Sequence, residues 1–268
     1  METLEKDIQI IANSHLRQQQ LSPVINNIGE MNAHFLACFP NEGCGVVVNN
    51  KFIACENVHE TPEEDFRIRR GDYLKHELES KIEALVHSHT LPASRRCGKF
   101  DQRTPSMADM VGQKATAVPW GIVATEGESC TIPIWYGLKE PAPIEGRFYV
   151  HNVYDCLTCV LDYMKINFDI DCETVPRPME WEALSKNLIV ENVETCGFEF
   201  LPSTTEIEDL KHGDAILFKI QANYVNHCGV VTEDGMFMHQ LMGRFTKKDH
   251  IAKWHRQIYC FVRHKDLA

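Results

Sequence analysis

The sequence lacks what a membrane-spanning or exported chain needs. No apolar run approaches the ~20 residues that cross a bilayer, and the opening METLEKDIQIIANSHLRQQQ does not show the basic-then-apolar order of a signal peptide. The expectation is a chain made and kept in the cytoplasm. Low-complexity tracts are also missing, and 44% hydrophobic with 24% charged residues is the composition of a folded globular protein. Positive charge is scarce: 27 Lys and Arg against 38 Asp and Glu leave a formal charge of -11. The short runs FRIRRGD and GRFTKKDH do not make the concentrated positive surface that phosphate binding requires, so nucleic acid is excluded as the main partner. A disulfide framework is absent as well. Eleven cysteines, an odd number without regular spacing, fit free thiols in a reducing compartment, with at least one put to chemical use.

What is present is an α+β pattern in two halves. Ile25, Ile28, Met31 and Phe35 recur at helical spacing toward Pro40, and GCGVVVNNKFIACENV reads as two strands around an Asn-Asn turn. GDYLKHELESK is helical in composition, EALVHSH is a strand, and WGIVATEGESCTIPIWYG is a pair of strands around a Glu-Gly turn. GLKEPAPIEG, with Pro141 and Pro143 between glycines, reads as a linker. Beyond it YDCLTCVLDYMKINF and MEWEALSKN are expected helices, and DAILFKI, HCGVVTEDGMFMHQ and QIYCFVRH expected strands. This divides the chain into residues 1–138, a linker at 139–146, and residues 147–268.

In the first half, His87 and His89 stand two apart, so on a strand both imidazoles point to one face and can meet one ion. A catalytic metal takes a third protein ligand, and TPSMADM supplies Ser106 and Asp109 in what reads as the first turn of a helix. Asp101 is a second candidate for that ligand. Hydrolysis also requires a base, and Glu42 in PNEGCG lies where a helix gives way to a strand. Glu, then His-x-His, then Ser-x-x-Asp resembles the JAB/MPN metalloprotease family over roughly residues 25–136. The resemblance implies Zn2+ held by His87, His89 and Asp109, with Glu42 as general base and Ser106 helping to stabilise the oxyanion. The sixteen residues between His89 and Ser106 are more than the family usually has, and Thr90 stands where proline is common.

In the second half, Cys156 opens a helix, where the macrodipole and free amides favour a thiolate. A nucleophilic thiol needs a histidine base and a group that orients it, and His227 and His239 follow in NHCGVV and MFMHQ. The pair Cys156 and Cys159 forms a C-x-x-C, but no second one accompanies it and no thioredoxin-like βαβ pattern surrounds it. Asp155-Cys156, LKHGDAILF, His227 with Gly229, and His239 together resemble the NlpC/P60 cysteine peptidases over about residues 147–264. That resemblance implies a papain-like α+β domain with Cys156 as nucleophile, His227 as general base and His239 as orienting residue. Leu157 and Thr158 replace the family's usual small residues, and Tyr154 is the candidate for the aromatic residue near the oxyanion.

A JAB/MPN-like domain followed directly by an NlpC/P60-like domain resembles the tail-tip proteins of lambda-like long-tailed bacteriophages across nearly the whole chain. That order implies a protein made in the host cytoplasm and then carried at the virion tail tip. Its partners would be other tail-tip proteins, and its substrate peptidoglycan peptides. Two alternatives stay open: a structural tail component with idle sites, and a cellular isopeptidase acting on a ubiquitin-like protein.

Overall fold

The computed structural model describes residues 17, 18, 20–90, 101–179 and 187–267. The helix expected from MEWEALSKN lies outside these residues except for its first residue, Met179, and its last, Asn187. The chain divides into two compact units: residues 21–140, and residues 141–267 together with the described residues before 21.

In the first unit, helix α1 (Ile28–Cys38) precedes the hairpin β1 (Cys44–Val48) and β2 (Lys51–Cys55). Asn49 and Asn50 both take positive φ, 51° and 58°, the backbone that a two-residue turn needs to match strand twist. Helix α2 (Arg70–Glu79), β3 (Ala84–His89), α3 (Met107–Thr116), β4 (Trp120–Ala124) and β5 (Ile134–Tyr136) follow. The sheet order is β2-β1-β3-β4-β5, antiparallel except for the parallel pair β3 and β4. Because β1 is buried at every position, its alternate residues enter two cores. Val47 packs with Met31 and Phe35 of α1, and with Ala84, Val86 and Val123. Cys44, Val46 and Val48 pack on the other face with Phe66, Ile68 and Tyr73. The β3–α3–β4 crossover returns the chain so that the first turn of α3 meets the C-terminal end of β3.

In the second unit, α4 (Cys156–Phe168) and the short α5 (Leu188–Glu191) precede a six-stranded sheet of β6 (Phe198–Phe200), β7 (Ala215–Phe218), β8 (His227–Val231), β9 (Phe237–His239), β10 (Lys247–Asp249) and β11 (Ile258–His264). Its order is β10-β9-β8-β7-β11-β6, antiparallel throughout. Helix α4 buries Leu157, Val160, Leu161 and Met164 in a core with Leu217, Cys228 and Val230. The second face of the sheet gathers Ile216, Phe218, Val231, Phe237 and Ile251. Strands β6 and β10, unforeseen in the sequence, are the two edges. In the proline-bearing stretch expected as a linker, Ala142 and Ile144 are buried, and Ile144 belongs to the α4 core.

Candidate functional sites

At the C-terminal end of β3, strand alternation puts His87 and His89 on one face, with Nε2 atoms 3.1 Å apart. Ser106 and Asp109 form a capping box on α3: Asp109 N–H donates to Ser106 Oγ at 3.0 Å and Ser106 N–H donates to Asp109 Oδ2 at 2.8 Å. The cap fixes the Asp109 carboxylate. Its two oxygens lie 3.2 Å from His87 Nε2 and 3.3 Å from His89 Nε2. Among the described residues these three form the one group of side chains arranged to hold a metal ion. The spacing fits the task, since donors ~2.0 Å from a tetrahedral centre stand about 3.3 Å apart. Two imidazole nitrogens and a carboxylate are a donor set for a divalent ion that leaves a fourth position open.

The surroundings orient these donors. His89 Nδ1 lies 2.9 Å from the Gln102 carbonyl, which leaves Nε2 for the cluster. Phe66 stacks on the His87 ring at 4.3 Å, and Trp120 meets it edge-on at 5.8 Å. Asp101, the other candidate ligand, is turned to Arg103, whose guanidinium reaches both of its oxygens at 2.9 and 2.7 Å. Burial alone would raise the Asp109 carboxyl, but the charge and hydrogen bonds of His87 and His89 hold it well below the usual range. Burial lowers His87, whereas Asp109 overcomes burial at His89 and lifts it to about 9. Glu42 is buried, and that burial pushes its carboxyl up to about 8, with His89 opposing and Asp109 and Asp65 adding. Its charge is therefore coupled to the cluster. Ser106 Oγ serves as the helix cap, and the residue is exposed.

The second site forms where α4 meets β8. Asp155 is the N-cap of α4; its Oδ1 accepts from the amides of Leu157 at 3.1 Å and Thr158 at 3.0 Å. This leaves the Cys156 amide as the N–H of the first turn not taken by the cap. Buried Arg177 pairs with Asp155 Oδ2, to which Asn152 N–H also donates at 2.7 Å. Cys156 is half-buried. Its thiol is held well below the ordinary value, first by a hydrogen bond with Cys228, then against burial by a hydrogen bond with His227 and that ring's charge. The Cys228 thiol moves the opposite way, raised by the same contact and by burial.

His227 opens β8 and His239 closes β9, with Gly229 directly opposite His239. The two histidines are thus diagonal neighbours on one face, and His227 Nε2 lies 2.9 Å from His239 Nδ1. A residue the sequence reading missed completes the line: His239 Nε2 is 3.3 Å from Asp249 Oδ2. Tyr154 OH accepts from Gln18 Nε2 at 2.7 Å, and the Arg147 guanidinium lies 4.8 Å above its ring.

No family model matches the chain. It is similar to two phage tail tip assembly proteins. Tail tip assembly protein K of Escherichia phage N15 is 27% identical over 243 residues, covering 88% of this chain and 93% of that protein. Tail tip assembly protein K of Escherichia phage lambda is 26% identical over 197 residues, covering 72% of this chain and 87% of that protein. Both matches are longer than either unit, so both take in residues of each. Among solved structures, that of protein DSY2949 from Desulfitobacterium hafniense matches 41% of this chain and 78% of its own, at 20% identity and a TM-score of 0.29.

Proposed function

We propose that this chain is a bacteriophage tail-tip assembly protein carrying two hydrolase sites, a cysteine peptidase that cuts peptidoglycan peptides and a zinc peptidase. One observation carries the reading. A cysteine in the first position of a helix near a histidine pair, and a His-His-Asp cluster coupled to a buried glutamate, occur in a chain that aligns over 88% of its length with a tail tip assembly protein. The resemblance of residues 147–264 to NlpC/P60 peptidases and of residues 25–136 to JAB/MPN metalloproteases supports the division of labour. The protein would be made in the host cytoplasm, join other tail-tip proteins there, and travel at the tail tip of the virion.

At the second site, the Cys156 thiolate attacks the carbonyl carbon of a stem-peptide amide. The oxygen that becomes negative is met by the Cys156 N–H, left free by the Asp155 cap. His227 gives its proton to the departing amine and the C–N bond breaks, leaving a thioester on Cys156. Water, deprotonated by His227, then attacks the thioester, and the thiolate leaves as the carboxylate product forms. His239 holds the His227 ring through the 2.9 Å contact during both proton transfers.

At the first site, His87, His89 and Asp109 would hold Zn2+, which when bound polarises a carbonyl and makes water a stronger acid. Glu42, whose charge is coupled to His89 and Asp109, would accept and return the proton. Its substrate on this reading is a tail protein processed during assembly.

The test is digestion of purified peptidoglycan by the wild-type chain, Cys156→Ala and His87→Ala, with products read by mass spectrometry and bound metal counted. The expected result is stem-peptide cleavage that only Cys156→Ala abolishes, with zinc bound by the wild type and lost in His87→Ala. An inert wild type without zinc would replace the reading with a structural tail component.

A further inference from the structure

The line of polar contacts from the thiol extends beyond His239, across three strands. Gly229 of β8 lies opposite His239 of β9, and His239 lies opposite Lys247 of β10. His227 is two residues before Gly229 and Asp249 two after Lys247. Strand alternation therefore sets His227, His239 and Asp249 on one face in a diagonal row. The contacts follow that row, at 2.9 Å between the histidines and 3.3 Å from His239 Nε2 to Asp249 Oδ2. The carboxylate is itself fixed: Trp254 Nε1 donates to Oδ2 at 3.3 Å and Lys247 Nζ lies 2.9 Å from it. The Trp254 ring stands edge-on to His239, 5.0 Å between centroids.

We infer that Asp249 is a positioning residue of the Cys156 site, setting the tautomer of His239 and, through it, the tautomer of His227. This rests on the cysteine-hydrolase reading given above. A carboxylate can only accept, so the proton of neutral His239 must sit on Nε2, facing Asp249. Nδ1 of His239 is then a bare lone pair, and His227 must meet it with an Nε2–H. Neutral His227 is thereby left with a bare Nδ1, the nitrogen that can take the Cys156 proton. Had His239 carried its proton on Nδ1, His227 would have to accept at Nε2. Its own proton would then sit on Nδ1, where a base needs a lone pair. His239 is neutral in this setting: burial first, then the charge of His227, push it down to about 3, with Asp249 raising and Lys247 lowering it. The groups facing His239 are His227 from β8, Asp249 and Lys247 from β10, and Trp254 after β10.

The experiment measures the rate at which iodoacetamide alkylates Cys156 as a function of pH, followed on the Cys156 peptide by mass spectrometry, with a thermal melt of each variant. The wild type should show a midpoint well below that of an ordinary thiol, and His227→Ala should return it to the ordinary value. Asp249→Asn should raise the midpoint by about one pH unit with little change in melting, and Asp249→Glu should recover most of that shift. Trp254→Phe, which removes the N–H aiming the carboxylate, should move the midpoint the same way by less. It decides the matter alone if Asp249→Asn does not fold. A wild-type profile in Asp249→Asn, or in Trp254→Phe when that variant stands alone, overturns the role of Asp249 and leaves the hydrolase reading intact. An ordinary thiol profile in the wild type, unchanged by His227→Ala, brings down the hydrolase reading and this inference with it.

Discussion

Loading the His87–His89–Asp109 cluster with a divalent ion must expel protons, and their number follows from the charge states around it. Asp109 is ionised far below neutrality and His87 is neutral through burial, so neither releases a proton near pH 7. His89, lifted to about 9 by Asp109 against its burial, has to lose one to offer its Nε2. Glu42, pushed up to about 8 by burial, holds a second that a nearby divalent charge would drive off. Below pH 8 each released proton makes the apparent affinity about tenfold stronger per pH unit. Raising the pH from 6 to 7 should therefore tighten zinc binding about 100-fold in the wild type and about tenfold in Glu42→Gln. Calorimetry in two buffers of different ionisation enthalpy counts the protons directly. Binding that ignores pH, or a Glu42→Gln variant that releases as many protons as the wild type, would refute the coupling of Glu42 to the cluster.

Three further outcomes follow from the second unit. Cys228→Ala removes the thiol hydrogen bond that is the largest cause of the lowered Cys156 value, so the pH midpoint of Cys156 alkylation should rise, alongside a loss of about 1 kcal/mol of stability from the emptied core position. Arg177→Met leaves Asp155 buried without its cation and should cost about 3 kcal/mol of stability in urea titration. Because Arg177 helps to hold the Asp155 carboxyl below its ordinary value against burial, the pair stabilises above the unfolded pKa and is lost as pH falls through the folded one. The variant should accordingly lose stability less steeply in acid. Gly229→Ala brings a Cβ to 2.7 Å from the Phe237 ring, 2.9 Å from the Met238 carbonyl and 3.0 Å from His239 Cβ. It should cost about 2 kcal/mol, read by the same titration, and slow Cys156 alkylation by displacing His239.

The parts of each site that could be read from sequence are those set by local geometry. A two-residue spacing on a strand forces His87 and His89 to one face wherever the strand lies. The Asp155 cap with Thr158 three residues on marks the start of α4 and so the placement of Cys156. Two adjacent asparagines made the β1–β2 turn legible because few residues accept positive φ twice in succession. The choice between Asp101 and Asp109 was of another kind. Both are aspartates downstream of the histidines, and what separates them is Arg103, which occupies both oxygens of Asp101, and the Ser106 cap, which aims Asp109.

Asp249 and Cys228 escaped for reasons of topology. Strand β10 is three residues long, Lys247–Asp249, and as a sheet edge it is polar and only partly buried. Charge at an edge is how a sheet avoids pairing with other chains, so KKD carries the pattern of a solvated turn rather than of a strand. Its relation to His239 exists only through the register that pairs His239 with Lys247. Cys228, between His227 and Gly229, has the pattern of a core residue, and it is one: it packs with Leu157 and Val230 beneath α4. Its effect on Cys156 arises because the helix that buries it also begins with the reactive thiol. A single packing contact therefore serves the core and the chemistry at once, and a motif that records only Cys, His and His at their spacings has no place for it.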